Sequence, residues 1–433
     1  MGSNQEAAPK QDVIVMGGGP AGSTTATLLA QKGLRVLLLE KSRFPRFHIG
    51  ESLMPETYWP LKRLGVLDKM KASAFPRKHS VQFVSTSGKE SHPFYFSETN
   101  PHESSVTWQV LRSQFDEMLL NNAREHGVDV REEMNVEEVL FEGSQAVGVV
   151  ARPRGGKTEN HYAKVIVDAT GLNAFLSKKL KIRNPDPRLK KVAIFAHFEG
   201  GRRDPGIDEG ATLVLHTPDG EGWFWYIPLP ENRVSAGIVG PPEKLFARPG
   251  QAEATLNESI EQCAGVRHRL ESAKRVSEIY TTSDFSFQST RCAGDGWVLV
   301  GDAYSFLDPI YSSGVFLALK SGELAADTIG EAFEKGDFSA GQLSRFGSTL
   351  STGMKAIRRL IYAFYTREFH FGRFVRKFPQ HRKRMIDILV GNVFTDNMSD
   401  LFESLEQMCP LPEMLPPEDK KISAVEVRRN QAS

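Results

Sequence analysis

The chain has 433 residues, enough for two to three conventional domains or one large interleaved α/β protein. Apolar residues make up 40% and charged residues 25%, so a sizeable core is expected that needs neither disulfides nor structural metals. The net charge of +1 argues against wholesale nucleic-acid binding, although it leaves room for a local basic patch.

The first ten residues are polar and lack the apolar core of a signal peptide, so residues 1–10 are predicted to form a tail. No run of 18 or more apolar residues occurs, which predicts no transmembrane helix. The three cysteines are far apart, which predicts no disulfide framework and favours a cytoplasmic location. No metal site is expected, because neither the cysteines nor the histidines have metal-ligand spacing.

Residues 12–40 predict a strand, a turn, a helix and a second strand. The apolar run at 13–15 is typical of a buried parallel strand. Three glycines follow it with G-x-G-x-x-G spacing: Gly17, Gly19 and Gly22. In that order they allow a tight turn, close approach to a pyrophosphate, and packing of the helix on the strand. Glu40 ends the second strand as an expected ribose acceptor, with Lys41 beside it, but the unit does not distinguish FAD from NAD.

The middle of the chain predicts further strands. Segment 78–98 alternates enough for strands, and residues 106–126 predict a strand that leads into a helix. Residues 165–171 predict another buried strand that ends in a turn. From 191 to 240 the pattern changes to strands and turns, which indicates a mostly antiparallel sheet inserted into the nucleotide-binding fold.

The last third of the chain is mainly helical in pattern. A strand at 297–302 is followed by a loop and a helix from about Ser313 to Phe333, and helical patterns continue from residue 340. Residues 416–433 are polar and contain proline, so they are predicted to be a poorly ordered tail.

Arg112 at a helix start, and Asp168, Gly171 and Asp302 at strand ends, add to the N-terminal glycines. Together these segments resemble the flavin monooxygenase and halogenase superfamily over roughly residues 11–335. The resemblance implies that these residues bind FAD, with the segment around Asp302 at the ribityl chain. It also implies that the N-terminus of the following helix faces the flavin pyrimidine ring.

The expected fold class is α/β, a Rossmann-type FAD-binding fold with an inserted, mostly antiparallel, substrate-side sheet and a C-terminal helical region. The expected boundaries are FAD-binding parts at 11–77, 106–185 and 276–335, substrate-side strands at 78–105 and 186–275, and helices at 336–415.

Residues 223–228 narrow the resemblance to the flavin-dependent halogenases, because they match the Trp-x-Trp-x-Ile-Pro motif of that family. Trp223 and Trp225 are two apart on a predicted strand, so their side chains point the same way. They are therefore predicted to form a barrier between the flavin and the substrate, which would hinder direct oxygen transfer.

Residues 306–314 match a second halogenase motif, Phe-x-x-Pro-x-x-Ser-x-Gly. A Ser-Ser-Gly turn at the start of a helix offers backbone N–H groups to a small anion. Ser313 and Gly314 are therefore expected to hold chloride or bromide, and the resemblance implies that Pro309 and Gly314 also contact the flavin.

Residues 47–55 resemble the loop that lines the isoalloxazine in these halogenases. The implied contacts are Gly50, Glu51 and Ser52. Lys78 precedes a strand and is the best match to the essential lysine of the family, with Lys71 as the reserve candidate. Burial in a partly desolvated tunnel would lower the pKa of such a lysine.

Tyr311 departs from the pattern of the tryptophan-type halogenases, which have a glutamate two residues before the Ser or Thr of the halide turn. The general base used on indoles is therefore missing at this position. The sequence resembles instead the halogenases of phenols, pyrroles and carrier-tethered substrates, which puts tryptophan in doubt as the substrate.

The resemblance implies an oxidoreductase that takes reduced FAD from a separate flavin reductase and uses O2 with chloride or bromide. A flavin hydroperoxide would yield hypohalous acid, which Lys78 would deliver to a small electron-rich aromatic ring. Three alternatives stay open: an aromatic monooxygenase of the same fold, a prenyl-lipid reductase, and a flavin-binding protein without turnover.

The stretch 355–385 is strongly basic, with ten Lys or Arg residues against the single acid Glu368, a local charge of +9. Aromatic residues lie between the cations. Three interpretations of the stretch stay open. It is the solvated face of a helical cap, or a docking surface for an acidic acyl-carrier protein that presents the ring, or a contact with an anionic membrane surface.

Overall fold

The computed structural model describes residues 11–283, 286–366, 368–394 and 398–414. The two predicted tails, 1–10 and 416–433, lie outside the described residues, and so does Arg367 of the basic stretch. The described part is a mixed α/β structure, as the alternation of strand and helix patterns predicts.

The strands, in chain order, are β1 (Val13–Met16), β2 (Val36–Leu39), β3 (Arg77–Lys78), β4 (Ser80–Val84), β5 (Phe94–Tyr95), β6 (Thr107–Trp108), β7 (Asp129–Arg131), β8 (Met134–Glu142), β9 (Gln145–Pro153), β10 (Glu159–Tyr162), β11 (Val165–Asp168), β12 (Arg183–Pro185), β13 (Val192–Glu199), β14 (Thr212–His216), β15 (Trp223–Leu229), β16 (Arg233–Gly240), β17 (Lys274–Arg275), β18 (Tyr280–Thr282), β19 (Phe287–Ser289), β20 (Ala293–Gly294), β21 (Trp297–Leu299) and β22 (Ser305–Phe306).

The helices, in chain order, are α1 (Pro20–Gln31), α2 (Tyr58–Arg63), α3 (Leu67–Ala72), α4 (Arg112–Glu125), α5 (Phe175–Lys179), α6 (Pro242–Leu245), α7 (Ala252–Gln262), α8 (Ala264–Leu270), α9 (Ser313–Lys335), α10 (Ala340–Leu343), α11 (Arg345–Phe364), α12 (Phe371–Lys377), α13 (Arg382–Val390) and α14 (Ser399–Glu406).

The nucleotide-binding part is a six-stranded sheet in the order β20-β21-β11-β1-β2-β7, parallel except for β20. The predicted unit of two strands and a helix is β1, α1 and β2. Gly17 has φ +105°, and a Cβ at Gly22 would lie 1.9 Å from the Gly17 carbonyl oxygen. No larger residue fits at Gly22 unless helix α1 moves away from the turn, so the glycine pattern is required by this packing.

The inserted part is an eight-stranded sheet in the order β17-β13-β16-β15-β14-β4-β5, with β18 also paired to β13. Its centre, from β13 to β16, is antiparallel, as predicted, and the strand with both indoles is buried along its whole length. Strand β4 joins the sheet by parallel pairing with β14. The segment after Lys78 is therefore part of the same sheet as the tryptophans.

Two regions differ from the simple sequence patterns. Strands β8, β9 and β10 form a separate antiparallel sheet within a region expected only to belong to the FAD-binding part. Helices α7 and α8 lie in a region expected to contain strands. They pack on the inserted sheet and share with it a second cluster of buried apolar side chains. Many side chains of the small sheet face water, so its apolar alternation is weak and gives little sequence signal.

Helix α9 begins at Ser313, as predicted, and ends two residues later than expected, at Lys335. It packs closely on α1, because a Cβ at Gly322 would lie 2.8 Å from the carbonyl oxygen of Ala21. Within the described ranges, no helix is both long and apolar enough to cross a bilayer. The same residues contain no cluster of three His, Cys, Asp or Glu side chains suited to a metal ion.

Candidate active site

A cavity of about 460 Å³ is lined by residues from both the parallel sheet and the inserted sheet. Most of the predicted site residues line it: Gly17, Gly19, Glu40, Lys41, Gly50, Glu51, Ser52, Arg112, Gly171, Trp223, Trp225, Asp302, Pro309 and Gly314. Four others do not: Gly22, Lys78, Asp168 and Ser313. The fold therefore brings together segments that are up to about 300 residues apart in the chain.

Glu40 is tied to the glycine turn as well as to the cavity. One carboxylate oxygen accepts the Gly18 N–H at 2.7 Å, and the other accepts the Ser42 N–H at 2.8 Å. The side chain is buried. Its position at the carboxyl end of β2, beside the N-terminus of α1, is that of a ribose acceptor next to a pyrophosphate site.

Asp168 differs from its expected role as a direct cofactor contact. Its carboxylate is fully buried and accepts hydrogen bonds from the N–H and hydroxyl of Thr170 and from the Leu176 N–H. Burial raises the pKa of Asp168, and these hydrogen bonds oppose the rise. The residue shapes the turn that contains Gly171, whose φ of +61° and open surroundings leave room for a ligand.

Arg112 begins helix α4 and holds the loop at 49–50 against the cavity. Its guanidinium makes two hydrogen bonds to Asp116, at 2.7 and 2.9 Å, and also donates to the Ile49 carbonyl. Gly50 has φ +102°, and a Cβ there would lie 2.9 Å from the guanidinium. The arginine therefore fixes the loop, which needs glycine at this point.

Glu51 has a partner that the sequence did not reveal. The imidazole of His197, on β13, donates to one carboxylate oxygen at 2.6 Å, and the other oxygen is buried without a described partner. A lone acceptor in a cavity suits a ligand with N–H or O–H groups, such as the flavin pyrimidine or the ribityl chain. No local pattern indicates His197, because it lies 146 residues further along the chain.

The turn at 312–314, called the halide turn because the sequence predicts the halide there, presents N–H and O–H groups that can donate hydrogen bonds. Ser312 has φ +58° and precedes the first turn of α9, whose initial backbone N–H groups have no helical partner. The Ser313 hydroxyl is buried without a described partner, and a Cβ at Gly314 would meet no atom within 4 Å. The turn therefore fits a small anion. Tyr311 faces away from such a role, because its hydroxyl donates to the Leu360 carbonyl.

Lys78 is buried, and its ammonium nitrogen lies 2.9 Å from the Ser52 hydroxyl and 3.1 Å from the Leu53 carbonyl. Burial lowers its pKa to about 7. No carboxylate among the described residues forms an ion pair with it. The reserve candidate Lys71 is instead partly exposed and paired with Glu103 at 2.9 Å.

The two tryptophans lie side by side in the cavity wall, with ring centroids 6.2 Å apart. Each indole N–H donates to a side chain of another element. Trp223 donates to the Tyr365 hydroxyl at 2.9 Å, and Trp225 donates to the Ser235 hydroxyl at 3.0 Å. The indoles are therefore held by hydrogen bonds as well as by packing.

A second cavity, of about 180 Å³, lies between the segment 96–105 and the C-terminal helix α13. Phe96 lines it, and the same ring lies 5.5 Å from the ammonium nitrogen of Lys78. Glu56, Lys383 and Asp387 supply charged groups to this cavity. Lys78 is thus in contact with the walls of both cavities, through Ser52 on one side and Phe96 on the other.

The basic stretch is less uniform than its sequence indicates. Arg358 is buried and donates to Gln288, so it is not a surface cation. The cations of α13 have acidic partners: Arg382 pairs with Glu98, Lys383 with Asp387, and Arg384 with Asp400. The exposed cations of α12, which form no ion pair with a described acid, are Arg373, Arg376 and Lys377.

Comparison with known proteins assigns this site to a family. A family model described as tryptophan halogenase matches residues 12–106 and 96–411. A 1H-pyrrole-2-carbonyl peptidyl-carrier-protein brominase of Pseudoalteromonas luteoviolacea is 33% identical over 386 residues, which cover 88% of this chain and 92% of the relative. The corresponding chlorinase of Pseudomonas fluorescens is 30% identical over 417 residues, with 92% of each chain covered.

A solved structure agrees with this assignment. The flavin-dependent brominase Bmp2 matches with a TM-score of 0.83 and 31% identity, covering 92% of this chain and 98% of its own. The match confirms the predicted α/β architecture. The chain therefore belongs to the tryptophan halogenase family, and it is an FAD-dependent oxidoreductase of the flavin-dependent halogenase kind.

Proposed function

We propose that this enzyme places chlorine or bromine on an electron-rich aromatic ring of phenol or pyrrole type, with Lys78 delivering the oxidised halogen. The observation that carries the proposal is the position of Lys78 between the two cavities. The lysine contacts Ser52 of the larger cavity and Phe96 of the smaller one. This arrangement suits a reaction in which an oxidant is made on one side and used on the other.

The larger cavity would hold FAD and the halide. The glycine turn with Glu40, the Arg112 loop and the turn at Gly171 would hold the cofactor. Gly314, which lines the cavity, and the neighbouring Ser313, whose buried hydroxyl has no described partner, would hold the anion. Reduced FAD supplies the electrons that activate O2 for oxidation of the halide. The chain contributes the anion-binding donors, the exclusion of water by Trp223 and Trp225, and an amine at Lys78.

Lys78 suits delivery because burial favours its neutral form. With a pKa of about 7, roughly half of the lysine is unprotonated at neutral pH. An unprotonated amine can bond to an electrophilic halogen, whereas an ammonium can orient hypohalous acid by hydrogen bonding. The amine and the ammonium occupy the same position. No carboxylate among the described residues forms an ion pair with the ammonium.

The smaller cavity would receive the acceptor ring. Tyr311 stands where tryptophan-type halogenases have a glutamate, and its hydroxyl is already bonded to the Leu360 carbonyl. Glu56 lines the smaller cavity, and burial raises the pKa of its carboxyl group. We therefore assign to Glu56 the acceptance of the ring proton that halogenation releases.

The test supplies purified enzyme, FAD, a flavin reductase with NADH, O2, and bromide or chloride. The acceptors are a simple phenol and pyrrole-2-carbonyl on a carrier protein. Product masses that gain a halogen support the proposal, and masses that gain only oxygen favour the monooxygenase alternative. Lys78→Met should abolish halogenation, whereas the matched surface variant Lys71→Met should leave it unchanged. Halogenation that survives in Lys78→Met would remove this lysine from the reaction.

We also propose that the ring is presented on an acidic carrier protein that docks on α12. Arg373, Arg376 and Lys377 are exposed, and the first two lie three residues apart and so share one face of the helix. Helix α13 follows after the short 3-10 helix Pro379–His381 and contributes Lys383 to the smaller cavity. The names of two relatives, a brominase and a chlorinase of pyrrole-2-carbonyl on a carrier protein, support a tethered ring as the substrate.

Charge reversal tests the docking surface. Changing Arg373, Arg376 and Lys377 to Glu should raise KM for the carrier-bound ring about tenfold at low salt. The simple phenol should react at the wild-type rate. The control changes three exposed lysines elsewhere, Lys157, Lys164 and Lys274, to Glu. Equal effects of the two triple variants on the carrier-bound ring would contradict docking on α12.

We propose further that a separate cytoplasmic reductase supplies the reduced FAD. The sequence has no second glycine fingerprint for a nicotinamide cofactor. The three cysteines are buried and far apart in the sequence, which agrees with a reducing compartment. Oxidation of NADPH by the purified enzyme alone, with no added reductase, would contradict this requirement.

A further inference from the structure

Asp308 lies at the start of the halide turn, and its carboxylate is bonded on both sides. One oxygen accepts the Ile310 N–H at 3.1 Å and so caps the short 3-10 helix Pro309–Tyr311. The other oxygen accepts the hydroxyl of Tyr365 at 2.8 Å. The carboxylate is buried, which makes such bonds costly to lose.

Tyr365 connects this carboxylate to the tryptophan barrier. It follows directly after α11, and its hydroxyl accepts the indole N–H of Trp223 at 2.9 Å. Trp223, Pro309 and Ile310 all line the larger cavity. A continuous chain of hydrogen bonds therefore runs from the halide turn, through the end of α11, to one member of the barrier.

The phenol ring of Tyr365 is held by contacts that do not involve its hydroxyl. The Lys191 ammonium lies 4.6 Å from the centre of the Tyr365 ring, and Phe364 packs edge-on against it. Phe364 also meets the Trp223 ring edge-on, with ring centroids 6.5 Å apart, so packing contributes to the position of the indole. The Tyr365 hydroxyl adds a polar link between Asp308 and that indole.

We propose that Asp308 and Tyr365 are positioning residues that couple the halide turn to the tryptophan barrier and so limit escape of the oxidised halogen from the larger cavity. This inference rests on the proposed halogenation. The hydrogen bond favours one orientation of the indole, whereas without it only packing against neighbours such as Trp225 and Phe364 restrains the ring, and gaps open more often in the wall. Because the chain passes through Tyr365, the C-terminal helical region takes part in confining the oxidant.

The decisive variant is Tyr365→Phe, which removes both hydrogen bonds of the hydroxyl and keeps the ring. The chain offers a matched control in Tyr362→Phe. Tyr362 lies in the last turn of α11, just before Tyr365, and its hydroxyl also donates to a buried aspartate, Asp186. Neither tyrosine lines the larger cavity, but only the Tyr365 hydroxyl is described as bonded to an indole, so both variants lose a comparable bond and only one affects the barrier.

The first readout is how the halogenated products divide between the acceptor and a diffusible trap. Loss of the hydrogen bond to Trp223, together with the bond to Asp308, should lower the ratio of halogenated acceptor to halogenated diffusible trap, such as monochlorodimedone, about three- to tenfold in Tyr365→Phe. Tyr362→Phe should keep the wild-type ratio. Asp308→Asn should give an intermediate ratio, because the amide oxygen can still accept one of the two bonds.

The second readout needs neither FAD nor turnover. In a Trp59→Phe background the remaining tryptophans are all buried, since Trp59 is the exposed one at 43%. Acrylamide quenching of fluorescence in the apoprotein should then increase in Tyr365→Phe and not in Tyr362→Phe. Equal quenching and equal product ratios in the two variants would overturn the coupling. If the wild type halogenates no acceptor, the proposed function fails, while the quenching comparison still decides the coupling.

Discussion

The ammonium of Lys78 donates a hydrogen bond to the hydroxyl of Ser52, 2.9 Å away, although only Ser52 lines the larger cavity. The same hydroxyl lies 2.9 Å from that of Thr212, on the strand β14 that pairs with β4. The lysine is thus anchored to both the loop around Ser52 and the inserted sheet. Its amine has a defined position despite four rotatable bonds, which is what the proposed delivery of a reactive halogen would require.

Burial of Lys78 should make the stability of the protein depend on pH. The folded-state pKa of about 7 lies below the ordinary 10.5, so the unfolded chain binds the proton more tightly. The cost is fully present below pH 7, and stability rises as pH increases from 7 towards 10. Lys78→Met should raise the free energy of unfolding at pH 7 by on the order of 4 kcal/mol.

Urea unfolding of the apoprotein at pH 7 and pH 9.5 measures this effect. In Lys78→Met the difference in unfolding free energy between the two pH values should shrink by most of that amount. The surface variant Lys71→Met should change stability by less than about 1 kcal/mol. An unchanged pH dependence in Lys78→Met would show that the amine is solvated in the folded protein.

Ser313→Ala should weaken halide binding without weakening the fold. The hydroxyl is buried with no described partner, so its removal from the halide-free protein leaves stability unchanged or slightly higher. Loss of a donor to the anion should raise KM for bromide about three- to tenfold. Thr24→Val, at another buried hydroxyl without a described partner, is the control and should leave this KM alone. A KM that is the same in both variants would exclude Ser313 from the halide site.

Asp168→Asn should reduce FAD affinity although the side chain does not line the cavity. The asparagine cannot accept the Leu176 N–H while it also accepts both donors of Thr170, so the turn at Gly171 loosens. We expect a loss of about 1–3 kcal/mol in stability and an FAD Kd about tenfold weaker. Flavin fluorescence titration measures the Kd. Asp295→Asn, which disturbs a capping carboxylate bonded to Ala340 and Ser144, should lower stability without changing the Kd.

His197→Leu should leave both oxygens of the buried Glu51 carboxylate without a hydrogen-bond partner. Breaking such a buried pair from one side costs about 3–5 kcal/mol in unfolding free energy. The double variant with Glu51→Gln should recover part of the loss, because an amide is less costly to bury than a charge. Strictly additive losses in this double-mutant cycle would mean that the two side chains do not interact in solution.

Glu56→Gln should lower kcat for ring halogenation about tenfold or more, if the carboxylate accepts the ring proton. Because burial raises the pKa of this carboxyl, the acid limb of the wild-type rate profile should lie above the usual range for glutamate and vanish in the variant. Asp387→Asn changes the other carboxylate of the smaller cavity, which is already paired with Lys383. A fall in kcat that is the same for both variants would contradict a specific role of Glu56.

The sequence predicts best those parts of the site that are local. The glycine turn, the acid after β2 and the start of α9 each depend on a few neighbouring residues, and the structure has them at the predicted positions. The tryptophan pair follows from strand periodicity, since residues two apart share a face. Such patterns are short-range, so they can be recognised without knowledge of the tertiary fold.

The parts that the sequence missed are contacts between distant segments. His197 meets Glu51 across 146 residues, and Tyr365 meets Trp223 across 142. Their pairing depends on the register of the inserted sheet and on the course of α11, which no local pattern contains. For Arg358 the sequence pattern is misleading. A run of cations predicts an exposed side chain, whereas this arginine is buried and bonded to Gln288.

The parallel pairing of β4 with β14 has a consequence for which parts of the site can change independently. Strand β4 begins two residues after Lys78, so the pairing ties the lysine to the sheet that carries both indoles. The walls of the smaller cavity come mostly from the segment 96–105 and from α13, outside that sheet. Substitutions in those walls should therefore change which acceptor ring fits without moving the lysine relative to the indoles.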